Sequence, residues 1–108
     1  MDVLLRGEND ASLVIAADPG ANFPKRAVEN MVKHPLIVID PHMNATAMLG
    51  DVVFPAAFVG IEVEGTAYRM DNVPIDCRKV VEPPEGMLTD EQFLIKVRDR
   101  VRQLKGAA

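Results

Sequence analysis

The sequence predicts a small α/β fold, a parallel three-layer sheet built on a βαβ unit with an antiparallel hairpin excursion and a C-terminal helix. Three observations predict it. Two unbroken apolar runs of strand length flank a segment with helical periodicity. Two extended arms surround a short polar turn further along the chain. A helix-capping pattern then precedes a final segment whose apolar residues recur at helical spacing.

The first segments of the chain are predicted to form a short helix and a buried strand. Asp2 to Arg6 has the apolar pattern of a helix end, and Gly7 stands where helices usually stop. So short a helix must either dock tightly or continue a longer upstream one. Ala11 to Ala16 is an unbroken apolar run, typical of a parallel strand buried on both faces. The segment from Ala17 to Asn22 is a predicted turn.

The next segment completes the βαβ unit and extends the sheet. A helix is predicted over residues 24–33, with Pro24 in its first turn, and a second buried strand over 36–39. A second turn cluster spans residues 40–44. A short helix at 45–49 and a third strand at 52–54 follow it.

The second half of the chain has a different pattern. Residues 60–65 are predicted to form a loop, and residues 66–70 and 73–79 the two arms of a hairpin. Thr89 and Gln92 have the spacing of a capping box, which places a helix over residues 90–104. Its predicted apolar face consists of Phe93, Val97, Val101 and Leu104.

Composition limits the class of protein but not its activity. At 108 residues the chain is the size of one domain, and residues 1–108 are predicted to form one. A net charge of −4 argues against nucleic acid or an anionic membrane as a partner. No apolar run reaches the roughly 18 residues that a membrane span needs. The single Cys77 and the lack of a signal-peptide pattern lead us to expect a cytoplasmic protein.

Two polar clusters follow adjacent predicted strands and should share one edge of the sheet, where α/β folds bind ligands. The first contains Asp18, Gly20 and Asn22 and precedes a helix, whose free N–H groups favour phosphate. An ordinary β–α turn capped by Asn22 explains this cluster equally well. In the second cluster, the Asp40 carboxylate can accept two parallel hydrogen bonds from guanine, a pair of donors that adenine lacks on that edge. Asp40 could instead simply cap the following helix.

Other polar residues add less. Asn44 and Thr46 could contact the base or ribose, and His42 could contact a cofactor or be a solvated loop residue. The histidines have no partners at metal-ligand spacing, and no catalytic residue or metal ligand can be assigned. We therefore expect this chain to bind a ligand rather than to catalyse a reaction.

A series of segments in fixed order resembles the B subunit of formylmethanofuran dehydrogenase, a member of the molybdopterin oxidoreductase family. These segments cover nearly the whole chain and include Leu13-Val-Ile-Ala-Ala-Asp-Pro-Gly-Ala-Asn-Phe-Pro24, Ile39-Asp-Pro-His42, Asp51-Val-Val-Phe-Pro-Ala56, Gly65-Thr-Ala-Tyr-Arg-Met-Asp71 and Val80-Val-Glu-Pro-Pro-Glu-Gly86.

The resemblance implies a cofactor and partners. Such enzymes hold molybdenum or tungsten between two pterin guanine dinucleotides, and Asp40 matches the family's guanine-binding aspartate. Asn44 stands where the family often has threonine.

The resemblance further implies reduction of CO₂ to formate in methanogenesis, with the rest of the B subunit and other subunits as partners. The family's metal-ligating cysteine has no counterpart here, so the isolated chain is expected to be inactive. The alternatives are a stand-alone nucleotide-binding module and a structural assembly module.

Overall fold

The computed structural model describes residues 1–107, which divide into two compact units, Met1–Pro55 and a second unit beginning at Ala56. The predicted fold class is confirmed, because the structure has a three-stranded parallel sheet, a separate antiparallel hairpin and a C-terminal helix. The single domain stays a prediction.

In the first unit the elements are α1 (Asp2–Arg6), β1 (Ser12–Ile15), α2 (Pro19–Asn22), α3 (Lys25–Val32), β2 (Leu36–Ile39), α4 (Ala45–Leu49) and β3 (Val52–Phe54). In the second unit they are β4 (Gly65–Tyr68), β5 (Pro74–Cys77) and α5 (Asp90–Gly106).

The sheet of the first unit has the strand order β1-β2-β3, with all three strands parallel. The register places Val14, Val38 and Val53 side by side across it. On the same face Leu36 and Val38 pack with Met31 of α3, and each of these three side chains is at most 1% exposed. Burying a side chain of this size contributes about 1.5–3 kcal/mol. This cluster therefore holds α3 against the sheet.

The opposite face of the sheet presents a second row of apolar side chains. Leu13, Ile37 and Val52 lie in register across the three strands. All three are exposed in this structure, by 46%, 37% and 45%. Parallel sheets are normally covered on both faces.

Two expectations for the first turn region were wrong. The segment predicted to be a turn contains the one-turn helix α2, whose first residue is Pro19, where the missing N–H costs nothing. Asn22 is the last residue of α2 and donates from Nδ2 to the Asp18 carbonyl at 2.8 Å. It does not cap α3, because Pro24 occupies that position. The predicted helix stop at Gly7 is confirmed, with a left-handed φ of 70°.

In the second unit, β4 and β5 pair antiparallel, with Asn72 in the turn at a left-handed φ of 61°. The capping box of α5 is confirmed, since Thr89 Oγ1 accepts from the Gln92 amide and Gln92 Oε1 accepts from the Thr89 amide, both at 3.1 Å. No residue of α5 is buried within the described part of the chain. Its predicted apolar face is therefore not a core face here. No helix of residues 1–107 has the length and apolar character needed to cross a membrane.

Candidate functional site

A depression of about 340 Å³ lies at the carboxyl ends of β1 and β2. Both predicted polar clusters contribute to it, as expected for adjacent parallel strands. Of the predicted site residues, it brings together Asp18, Asp40, His42 and Asn44, and its remaining lining residues are Ala16, Ala17 and Pro41.

The Asp40 carboxylate is held rigidly at the end of β2. Its Oδ1 accepts a hydrogen bond from the His42 amide at 2.8 Å, and its Oδ2 accepts one from Asn44 Nδ2 at 3.1 Å. The residue is only 8% exposed. A carboxylate oxygen has two acceptor sites. Each oxygen therefore has the capacity to accept one further hydrogen bond.

The interpretation of Asp40 as a helix cap was wrong. The N-cap of α4 is Asn44, whose Oδ1 accepts from the Ala47 amide at 2.9 Å. Asn44 Nδ2 also lies 3.4 Å from the Ala17 carbonyl oxygen. Because both ends of this amide group are engaged, its orientation is fixed, and Nδ2 must point at Asp40.

The two clusters are joined behind the depression by Thr46, which is fully buried. Its hydroxyl donates to Asp18 Oδ1 at 2.6 Å and accepts from the Gly20 amide at 2.8 Å, and its own amide donates to the same Asp18 oxygen at 3.0 Å. The Thr46 hydroxyl is the main reason that the pKa of Asp18 lies below its ordinary value, and partial desolvation opposes it. Thr46 thus ties α2 and its N-cap residue Asp18 to the first turn of α4.

Gly20 permits this junction. A Cβ atom at this position would lie 3.0 Å from both the amide nitrogen and the hydroxyl oxygen of Thr46, so the Thr46 backbone and its bonds would have to shift by a few tenths of an ångström. The close backbone approach at Gly20 is therefore made to α4. Since the Gly20 amide already donates to Thr46, it is not available to the phosphate that the sequence led us to consider.

His42 and Asn22 differ in their relation to the depression. The His42 side chain is 71% exposed at its wall, with Nδ1 3.8 Å from Asp40 Oδ1. Asn22 instead lines a separate groove beside β1. Contacts of all seven predicted residues with a cofactor stay predictions.

Ala16, which lines the depression, has an unusual backbone conformation that the sequence does not predict. Ala16 has a φ of 49°, in the left-handed region that L-residues other than asparagine and aspartate rarely adopt. This conformation costs about 1–2 kcal/mol. Strained residues of this kind concentrate at ligand sites, and Ala16 lies between the end of β1 and the depression.

The chemistry of the depression favours a ligand that donates hydrogen bonds. Ionised Asp18 and Asp40 are acceptors only, and together they make its wall acidic. A phosphate group would be repelled there, whereas N–H and O–H groups would find acceptors. Within residues 1–107, no group of three or more His, Cys, Asp or Glu side chains is placed to hold a metal ion.

Comparisons with known proteins confirm the resemblance seen in the motifs. The chain is 52% identical over 103 residues, 95% of its length, to the B subunit of the tungsten-containing formylmethanofuran dehydrogenase 2 of Methanocaldococcus jannaschii. It is 47% identical over 104 residues, 96% of its length, to the B subunit of the enzyme of the same name from Methanococcus maripaludis. Each match covers 24% of the relative, so the chain spans about a quarter of the length of these subunits. No protein-family model matches it.

Proposed function

We propose that this chain forms part of the site for a molybdopterin guanine dinucleotide in a formylmethanofuran dehydrogenase, where it binds the guanosine end. The observation that carries the proposal is the geometry of Asp40. Its carboxylate is fixed by His42 and Asn44 at the strand end, with one acceptor site left on each oxygen. The similarity to the B subunits of two tungsten-containing enzymes supports the choice of cofactor.

Guanine matches this carboxylate because its N1–H and its exocyclic N2–H₂ are parallel donors. Two charge-assisted bonds of this kind would fix the base in one orientation. In this proposal Asp18, the second carboxylate lining the depression, accepts from a ribose hydroxyl, and His42 packs over the ligand from the exposed side.

The remaining functions belong to other parts of the enzyme. The pterin-bound metal supplies the redox chemistry that interconverts CO₂ and formate, and the names of the two relatives favour tungsten over molybdenum. This chain's contribution is to hold and orient the nucleotide and to dock on the rest of the B subunit. A stand-alone nucleotide-binding or structural module is the alternative outcome of the tests.

The first test compares three nucleotides that differ in the donors they present to Asp40. GMP has both donors, IMP keeps only N1–H, and AMP has an acceptor at N1. Each charge-assisted bond contributes about 1.5–3 kcal/mol, so each loss should weaken binding by about 10- to 150-fold. NMR titration of the labelled chain measures the affinities, with shifts expected at the Asp40 and Asn44 amides. Equal affinity for GMP and AMP would contradict guanine recognition, and no response to any nucleotide would favour a structural module.

The second test concerns activity. We expect the purified chain to show no formate oxidation and no CO₂ reduction with any dye, because it contains no counterpart of the family's metal-ligating cysteine. A viologen-dye assay with metal added back measures this, and the complete enzyme serves as the positive control. Turnover by the chain alone would refute the assignment of the metal to other parts of the enzyme.

A further inference from the structure

The outer edge of β1 is open. In a parallel pair, successive residues point their backbone groups alternately to the two sides. The Ser12 amide donates to the Pro35 carbonyl at 2.8 Å and the Ala16 amide to the Ile39 carbonyl at 2.9 Å, both on the β2 side. The backbone groups of Leu13 and Ile15 therefore face the other way, where no strand of residues 1–107 pairs with β1.

This edge has none of the features that protect an exposed strand. Proteins usually block an open edge with lysine, proline or a bulge, or cover it with another element. The strand Ser12–Ile15 contains no charged residue and no proline, and it pairs with β2 in unbroken register. The outward N–H and C=O groups of β1 are therefore free to form hydrogen bonds with an added strand.

A groove of about 620 Å³ runs beside this edge. Its walls come from α1, β1, α2 and α3 and are mainly apolar, with Val3, Leu4, Phe23 and Met31 among the lining residues. Its volume is within the range of pockets that enclose a ligand, about 300–1,000 Å³. An added strand would place alternate side chains in this groove while its backbone bonds to β1.

Asn9 gives an independent indication of a missing partner. Its side chain lines the groove and is only 8% exposed. Nδ2 donates weakly to the Asn30 carbonyl at 3.4 Å, but Oδ1 is buried without a hydrogen-bond partner among residues 1–107. A buried acceptor left without a donor costs about 1–3 kcal/mol. A backbone N–H brought into the groove would satisfy it.

We propose that the β1 edge and its groove receive a β-strand from the three quarters of the B subunit that this chain does not span. The proposal rests on the proposed function for its partner, since the two relatives are about four times as long as the part they share with this chain. The added strand makes the sheet four-stranded, bonds to the backbone of Leu13 and Ile15, and places one apolar side chain between α1 and α2.

Hydrogen exchange on the intact enzyme that contains this sequence tests the proposal without a mutation. The Leu13 and Ile15 amides should exchange at least about 100-fold more slowly in the complex than in the separate chain, because a paired strand must open before it exchanges. Val14 and Ala16, bonded to β2 in both, are the internal controls. Rapid exchange at Leu13 and Ile15 in the complex would overturn the proposal.

A pair of variants separates the backbone from the side chain. Leu13→Pro removes the outward N–H but leaves the bonds to β2, and should weaken association with the remaining B-subunit segment by about tenfold or more. Leu13→Ala shortens the same side chain but keeps the N–H, so it should associate more tightly than Leu13→Pro. Asn9→Ala should weaken association by about 2- to 10-fold. Native mass spectrometry of the co-expressed segments measures association, and equal binding by Leu13→Pro and Leu13→Ala would overturn the proposal.

The same measurements distinguish this proposal from the nucleotide site. The Asp40→Asn complex, which tests guanine binding, should keep full protection at Leu13 and Ile15. If that complex loses its nucleotide and keeps the protected edge, both proposals stand. If wild-type protein binds guanine nucleotide but its β1 edge exchanges freely in the complex, only the docking proposal fails.

Discussion

Asp40→Asn is expected to lower the affinity of the assembled enzyme for its guanine nucleotide by about 10- to 150-fold, the equivalent of one charge-assisted hydrogen bond of about 1.5–3 kcal/mol. The substitution replaces one carboxylate oxygen with an NH₂ group. In the proposal each Asp40 oxygen accepts one bond from guanine, so an NH₂ group in either place meets a guanine donor. In the place of Oδ1 it also meets the His42 amide, and in the place of Oδ2 it meets Asn44 Nδ2, which cannot turn away because Asn44 Oδ1 is bonded to the Ala47 amide.

The conflict with guanine therefore arises in either orientation, and the donor–donor contact with the His42 amide or with Asn44 Nδ2 also lowers stability. We expect the free energy of unfolding to fall by about 1–3 kcal/mol, the cost of a buried polar group without a partner. Asp10→Asn is the matched control, because Asp10 is an exposed residue of the same unit. The measurements are guanine and metal content per complex after washing, and urea unfolding. A variant complex that keeps its full guanine content and normal activity would show that Asp40 does not bind the base.

The sequence predicted those parts of the fold that depend on local patterns. The runs at β2 and β3 and the short helix α4 were found with their bounds, because each is a continuous pattern between clear breakers. α2 was missed, since a single turn of helix over Pro19–Asn22 has the same composition as a turn. The exposure of α5 was missed for a different reason. Periodicity identifies which face of a helix is apolar, but not whether a neighbour covers it.

The features of the candidate site likewise differ in whether the sequence pattern predicts them. The meeting of the two polar clusters follows from parallel strand order alone. The role of Thr46 could not be foreseen, because its partners Asp18 and Gly20 are 28 and 26 residues away in the chain. The strained Ala16 has no signal either, since alanine has no preference for left-handed backbone. Both the bonds of Thr46 and the backbone conformation of Ala16 depend on tertiary packing.

The last prediction concerns Thr46. Thr46→Val keeps the shape of the side chain but removes the hydroxyl that bonds to Asp18 and Gly20. The Gly20 amide then has no acceptor, and we expect the free energy of unfolding at neutral pH to fall by about 1–3 kcal/mol. Thr46→Ser, which keeps the hydroxyl and loses one methyl group, should cost only about 0.8 kcal/mol. Urea unfolding of the two variants and the wild-type chain measures the difference.

The same substitution has a pH dependence whose sign follows from Asp18. The Thr46 hydroxyl lowers the pKa of Asp18 in the folded chain below the ordinary value of 3.8, so folding favours the ionised carboxylate. This stabilisation is fully present above that ordinary value and is lost as the pH falls through the lower pKa of the folded state. In Thr46→Val the pKa of Asp18 should rise, and the stability gap to wild type should narrow as the pH falls from about 5 to about 2. NMR titration of the Asp18 carboxyl carbon measures the pKa directly, and an unchanged value in Thr46→Val would show that the hydroxyl does not stabilise the carboxylate.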